Sequence, residues 1–306
     1  MSGSKALWTG VYPAATTQFA PDLAIDHDAT QQVQVALVDD GVDGLILLGT
    51  CGENNSLEAD EKRAVLRGGV EAVGGRVPLV AGVSEMTTDR AIAYAHDAEA
   101  IGVDALMVLP AMVYVPSAHE LEAHFRAIAH ATSLPIMLYN NPPAYRVNVG
   151  IATLDALADV SNIVAVKESA PDPRRFTDLI NRFGDRYSVM AGLDDIALEG
   201  LLLGASGWVS GLTSAFPAES VRLVAAVAEG KWDEARAIYR WFMPLLHLDA
   251  DHDLVQSIKL AETIMGRGTE RVRMPRLPLT GQRRADVIAW VEHCAATQPS
   301  KLARAA

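Results

Sequence analysis

The sequence predicts a (β/α)₈ barrel with a C-terminal helical extension, and three observations carry that prediction. Short apolar runs alternate with helical stretches about eight times along the chain. The runs are apolar at nearly every position rather than at every second one, the pattern of parallel strands buried on both faces. From Lys231 onward the strand signal stops and only helical periodicity remains. The competing architecture, a doubly wound open sheet, needs fewer strands and often a nucleotide loop. Neither Gly-x-Gly-x-x-Gly nor a Walker sequence occurs.

Taken in order, Thr9–Ala14 is the first strand, although Pro13 weakens it. A helix follows from about Asp26, the N-cap, and stops before Gly41. Gly44–Gly49 is the second strand. Ser56 then opens a helix, though Ser-Leu-Glu-Ala lacks the acid of a full capping box. Val77–Ala81 precedes a helix opening at Thr87 or Thr88. Ala105–Leu109 precedes one starting near Ser117, with Glu120 as capping-box partner. Pro135–Tyr139 leads through a loop to a helix from about Gly150. The run Ile163–Val166 ends in Lys167 and is followed by a helix from Asp172-Pro173. Tyr187–Ala191 and Gly207–Ser210 complete the series. Residues 1–230 are thus read as the barrel and 231–306 as about three helices packed on it. Trp232, Ile238, Trp241 and Leu245 fall roughly on one helical face, and Lys301–Ala306 is expected to fray.

The chain has 306 residues, 50% hydrophobic and 21% charged, enough for a large core. A formal net charge of −12 argues against nucleic acid or an anionic membrane as partner. Cys51 and Cys294 lie far apart and suggest no disulfide framework. The opening Met-Ser-Gly-Ser-Lys lacks the apolar run of a signal peptide, and no stretch approaches a membrane span. A soluble cytoplasmic protein is expected.

In such a barrel, active sites are built where strands end, at the C-terminal face. The informative residues are therefore Gly49–Glu53, Pro110–Tyr114, Tyr139–Pro142, Lys167–Ser169, Gly192–Asp195 and Gly207–Gly211. They include an amine, a phenol and a hydroxyl beside a glycine-flanked turn, a set suited to Schiff-base chemistry. A lysine half out of water at a barrel mouth attacks a ketone carbon, and Tyr139 passes protons to and from the carbinolamine. The Thr50-Cys51 turn offers backbone N–H groups and a hydroxyl to a carboxylate. No metal or nicotinamide is required. Each residue also has a plainer structural reading. Lys167 ends a strand and snorkels to solvent, Gly49 and Gly52 shape a tight turn, Tyr139 packs on a loop, and Glu168 pairs or caps nearby. His247–Asp253 resembles a metal cluster. It lacks an EF-hand glycine and glutamate and a zinc helix's His-Glu-x-x-His, and so reads as a solvated interhelical loop.

The segments Gly49-Thr50-Cys51-Gly52-Glu53, Tyr139-Asn140-Asn141-Pro142 and Val166-Lys167-Glu168-Ser169 resemble the dihydrodipicolinate synthase/N-acetylneuraminate lyase family over nearly the whole chain. The resemblance implies a (β/α)₈ barrel, a homotetramer built as a dimer of dimers, and a covalent Schiff base on Lys167 in place of a cofactor. It also implies Tyr139 as proton relay, with Thr50 and Cys51 holding an α-keto acid carboxylate. For the family's tyrosine from a neighbouring subunit, Tyr114 is the one nearby candidate, in a Pro110–Pro116 segment one residue longer between its prolines than the family's. Substrate contacts are expected at Thr50, Cys51, Gly52, Asn141, Gly192 and Val209.

Two departures bear on substrate. Dihydrodipicolinate synthases commonly have a second threonine where Cys51 stands, and an arginine for the second substrate's carboxylate where this chain has Ala144, with Arg146 two residues on. Gly52–Ser56, Tyr139–Pro142 and Gly207–Leu212 are similar to the branch acting in hydroxyproline breakdown as 1-pyrroline-4-hydroxy-2-carboxylate deaminase. The implied partner is a small α-keto or cyclic imino acid. The alternatives are a pyruvate-dependent aldolase, hydratase-aldolase or sugar-acid dehydratase of the same fold, dihydrodipicolinate synthase included, and a catalytically idle binding or regulatory member.

Overall fold

The computed structural model describes residues 7–111 and 114–299. The expectations for the first five residues, for Met112 and Val113, and for the frayed tail fall outside them. Eight strands form one parallel sheet in the order β1-β8-β7-β6-β5-β4-β3-β2. They are β1 Gly10–Pro13, β2 Leu45–Leu47, β3 Leu79–Val83, β4 Ala105–Val108, β5 Ile136–Asn140, β6 Ile163–Glu168, β7 Ser188–Ala191 and β8 Gly207–Ser210. The ring closes just beyond β1, where Ala14 bridges Ile46 and the Ala15 amide donates to the Ile46 carbonyl at 2.9 Å. This is the (β/α)₈ barrel the alternation implies.

Helices fill the intervals: α1 His27–Asp39, α2 Ala59–Val73, α3 Thr88–Ile101 and α4 Ala118–His130. After β5 come the short α5 Pro142–Tyr145 and α6 Ile151–Ala156, then α7 Arg174–Phe183, α8 Ala197–Leu202 and α9 Pro217–Ala228. Local chemistry fixes their starts. Asp26 accepts from the Ala29 amide at 2.9 Å, and Ser117 and Glu120 form a reciprocal capping box. The α2 start differs from the expectation at Ser56. Asn54–Ser56 is a 3₁₀ turn, and the helix begins after Glu58, whose amide donates to Glu61 at 2.9 Å. An acid two residues further along satisfies the box that Ser56 could not.

Two apolar layers hold the barrel. Its interior is filled by Trp8, Tyr12, Ile46, Val80, Met107, Met137, Tyr139, Ala165, Met190 and Val209, while a larger outer cluster packs strands against helices. Three more helices follow: α10 Trp232–Ala250, α11 Leu254–Ile264 and α12 Gly281–Ala296. The buried face of α10 is Ile238, Phe242, Leu245 and Leu246; Trp232, expected on that face, is 43% exposed at the helix start. The expected loop over His247–Asp253 is also shorter than its sequence suggests, because α10 runs on to Ala250. Among the described residues no group of histidine, cysteine and acidic side chains is arranged to hold a metal, and no helix is long and apolar enough to cross a membrane.

Candidate functional site

Lys167 reaches the barrel interior because of a bulge. β5 pairs with β6 as Ile136 with Ile163, then Met137 with Ala165, so Val164 is the extra residue. Ile163 faces the outer layer; strict alternation from it would point Lys167 outward as well. Past the bulge, Ala165 faces the interior, and Lys167 two residues on faces the same way. The strand also continues one residue beyond the lysine, which pairs with Tyr139 on β5 and Met190 on β7. Lys167 is therefore only 6% exposed, buried rather than half out of water. Its neighbour Glu168 points outward and pairs with Arg175 at 2.9 Å.

The lysine Nζ lies 4.0 Å from the centre of the Tyr139 ring. Asn141 Nδ2 donates to the Tyr139 hydroxyl at 2.9 Å. Burial pushes this phenol well above its ordinary range, offset in part by the Asn141 bond, so it stays protonated at neutral pH. Opposite, Gly192 gives the lysine room, since a Cβ there would stand 2.6 Å from Lys167 Cγ.

The turn after β2 is bracketed by two left-handed residues, Leu48 (φ 57°) and Glu53 (φ 54°). Its internal bonds run from the Glu53 amide to the Thr50 carbonyl (3.0 Å) and from the Asn54 amide to the Gly49 carbonyl (3.5 Å). The amides of Thr50 and Cys51 take no part in those bonds. Glu53 is anchored in the fully buried layer beneath. Its carboxylate accepts from Lys259 Nζ at 2.9 Å and from the Arg273 amide at 3.0 Å, so the C-terminal segment fixes the turn. Gly52 sits so close to the Leu48 backbone, 2.8 Å from a Cβ it lacks, that its role here is packing. The Cys51 thiol is buried and pushed upward by burial, which keeps it protonated and a poor nucleophile.

Thr50 Oγ1 shares a short hydrogen bond with the Tyr145 hydroxyl. Tyr145 packs edge-on to Tyr139 with ring centres 5.7 Å apart. Sequence reasoning missed Tyr145 because it follows two prolines in an apparent loop. Those prolines instead open α5, capped by Asn141 Oδ1 accepting from the Ala144 amide at 3.1 Å, and the single turn swings Tyr145 over Thr50. Tyr114 lies elsewhere. It is 58% exposed and donates to Glu120 at 2.7 Å, so within one chain it does not join this group. Val209 belongs to the interior layer beneath.

Thr50, Cys51, Tyr139, Asn141, Tyr145 and Lys167 line one cavity with Ala14, Met107, Gly211, Leu254 and Asp249, whereas Gly52, Gly192 and Val209 do not. Asp249 is the second residue missed. It comes from the last turn of α10 and is partly exposed, with its side chain lining the cavity. A Cβ on Gly211 would lie 2.4 Å from its Oδ1, so that glycine is what admits it. Burial raises the Asp249 carboxyl to about 6, against the opposing pull of Lys167. The free space is about 20 Å³, room for roughly one water. A substrate therefore enters by moving side chains at the mouth, where Thr50, Tyr145, Asp249 and Leu254 are the partly exposed ones. A cavity of about 620 Å³ lies elsewhere, around the Lys62–Glu85 ion pair, and contains none of these groups. Chemistry rather than size selects the barrel mouth.

Known proteins are similar to this chain in sequence and in overall fold. A 4-hydroxy-tetrahydrodipicolinate synthase of Halalkalibacterium halodurans is 34% identical over 272 residues, covering 89% of this chain and 92% of that protein. The structure of 4-hydroxy-tetrahydrodipicolinate synthase from Methylacidiphilum fumariolicum superposes with a TM-score of 0.90 at 30% identity, covering 94% of this chain and 96% of that one. An E. coli K12 prophage protein of the dihydrodipicolinic acid synthase family, solved in complex with pyruvate, gives 0.89 at 28% identity, covering 95% and 100%. The model of the dihydrodipicolinate synthetase family matches residues 7–294, and the chain belongs to that family.

Proposed function

We propose that this lyase-family enzyme opens and deaminates 1-pyrroline-4-hydroxy-2-carboxylate, a cyclic imino acid with a single carboxylate, to 2-oxoglutarate semialdehyde and ammonia. The family works through a covalent lysine Schiff base without a metal cofactor. Lys167 is the lysine that carries it here, and Tyr139, Thr50 and Tyr145 relay its protons. Tyr145 stands over Thr50 from within the same chain, a place that Tyr114 would have to reach from a neighbouring subunit.

One observation carries the substrate reading: among the described residues, the cavity has no arginine and does have a carboxyl, Asp249. Ala144 and Arg146 are both exposed, outside the cavity. Within this cavity a substrate with a second, distal carboxylate would meet Asp249 with no cation but the reacting amine; Arg276 lines an adjoining cavity that shares Thr50 and Tyr145. Juxtaposed like charges of this kind cost several kcal/mol. A five-carbon ring with one carboxylate, held at the Thr50-Cys51 amides, avoids that cost.

The chemistry balances without an oxidant. Lys167 adds to the C2 imine carbon; the ring C2–N bond breaks as nitrogen gains a proton, leaving C2 as the lysine Schiff base. A proton leaves C3, and the enamine electrons expel the C4 hydroxyl as water. The amine end then tautomerises to an imine at C5: one proton leaves C5 and one leaves the nitrogen, and C3 and C4 each take one up. Hydrolysis at C5 releases ammonia and hydrolysis at C2 frees the lysine. One water leaves and two enter.

A second reading has its own support, since the relatives just described include proteins named 4-hydroxy-tetrahydrodipicolinate synthase. The test supplies the cyclic imino acid while ammonia and semialdehyde are followed, beside pyruvate with aspartate semialdehyde. Ammonia release from the first, faster than condensation of the second pair, is expected. The opposite order rejects the deaminase reading in favour of the synthase.

A further inference from the structure

We infer that the Asp249 carboxyl is the acid that protonates the departing C4 hydroxyl, a role that rests on the deaminase reading and adds a group to it. The argument begins from position. Lys167 and Tyr139 enter the cavity from β6 and β5, and Thr50 from the turn after β2, whereas Asp249 arrives from α10 through the gap that Gly211 leaves after β8. The carboxylate end of a substrate lies at the Thr50-Cys51 amides and its C2 at Lys167 Nζ. Asp249 lines the same cavity from the Gly211 side, next to Cys51 Sγ and within reach of a ring bound there.

Its surroundings suit an acid rather than a structural anchor. The groups facing it are Lys167 on β6, Tyr139 on β5, Cys51 in the turn after β2, and Asp194 and Asp195 in the turn after β7. Asp194 is fully employed: it accepts from Trp208 Nε1 at 2.9 Å, Ser210 Oγ at 3.1 Å and the Leu212 amide at 3.0 Å. Asp195 pairs with His247 at 2.9 Å. Among the described residues, Asp249 has the Asp194 amide as its hydrogen-bond donor, and it lines the cavity. Burial lifts the Asp249 carboxyl above the usual carboxylate range, toward one in which it can hold and give up a proton near neutrality. The phenols of Tyr139 and Tyr145, both pushed upward by burial, are far weaker acids.

In the step itself the C3–H electrons form the enamine and then the C3–C4 double bond. The C4–O bond breaks, and the oxygen takes the Asp249 proton and leaves as water. The resulting carboxylate recovers a proton from C5 in the tautomerisation that follows.

Fluorine in place of the 4-hydroxyl leaves as fluoride and needs no proton, so the leaving group isolates the role. Asp249→Asn should lose about 10²–10⁴-fold in kcat on the hydroxy substrate. On the 4-fluoro analogue its loss should stay below about tenfold. Borohydride trapping of pyruvate on Lys167 should stay close to wild type, which also reports an intact fold. Equal losses on both substrates, or no loss on the hydroxy substrate, would overturn the inference, as would a variant that no longer traps pyruvate. If wild-type enzyme releases ammonia from neither substrate while still trapping pyruvate, the deaminase reading fails and this role falls with it.

Discussion

Gly192→Ala probes how closely Lys167 is held. The added methyl would stand 2.6 Å from Lys167 Cγ, 2.7 Å from Cε and 2.4 Å from Ser169 Oγ. Carbon atoms pack comfortably at about 3.5–4.0 Å, so the lysine stem must retreat by roughly 1 Å. It has little room to do so, because the Tyr139 ring lies 4.0 Å from Nζ on another side. Overpacking of this kind costs about 1–3 kcal/mol of stability. A misplacement of about 1 Å at the reacting group costs about 10²-fold in rate. The rate loss should therefore exceed what a modest fall in melting temperature would suggest. The assay is the rate of borohydride-trapped pyruvate adduct, with a thermal melt on the same sample. Wild-type trapping kinetics in a folded variant would refute the claim that Gly192 positions the lysine.

Tyr139→Phe keeps the ring against Lys167 and removes the hydroxyl. Steady-state kinetics should show kcat down by about 10²–10⁴, with a melting temperature near wild type because Asn141 borders the cavity, where a water can take the place of the lost hydroxyl. Lys259→Met leaves Glu53 as a fully buried, less compensated carboxylate. Breaking such a pair costs about 3–5 kcal/mol, and denaturant titration should show that loss together with a raised KM for α-keto acid as the Thr50-Cys51 turn loosens. Glu262, held by Thr16, is raised by burial to about 7. The unfolded chain releases the same proton near pH 4. The folded state thus binds more protons between about 4 and 7, and this group's contribution to stability falls as pH rises through that window. Glu262→Gln should remove that part of the slope in melts from pH 4 to 8; an unchanged slope would contradict the assignment.

The barrel was legible because buried parallel strands announce themselves as unbroken apolar runs, and Asp26, Thr87 and Ser117 mark helix starts chemically. Lys167 and Tyr139 were legible because catalytic groups in this architecture follow such runs. The bulge at Val164 was not, since nothing in Ile-Val-Ala-Val marks which residue is extra; only pairing with β5 decides it. Tyr145 was hidden by reading Pro142-Pro143 as loop rather than as the opening turn of a helix. Asp249 was hidden among the acids and histidines of 247–253, yet a signal existed: Phe242, Leu245 and Leu246 form a buried stripe, and Asp249 is its next position. The Glu53–Lys259 pair, 206 residues apart in sequence, is a product of the closed fold alone.

The most direct test of the account is the site of covalent chemistry. Pyruvate and borohydride are added to the purified protein, and its peptides are mapped by mass spectrometry. The account predicts one modified peptide, carrying Lys167 and heavier by pyruvic acid less one oxygen atom, and no adduct in Lys167→Ala. An adduct on another lysine, such as Lys62 or Lys259, would contradict it, as would a folded enzyme that turns over substrate yet traps nothing.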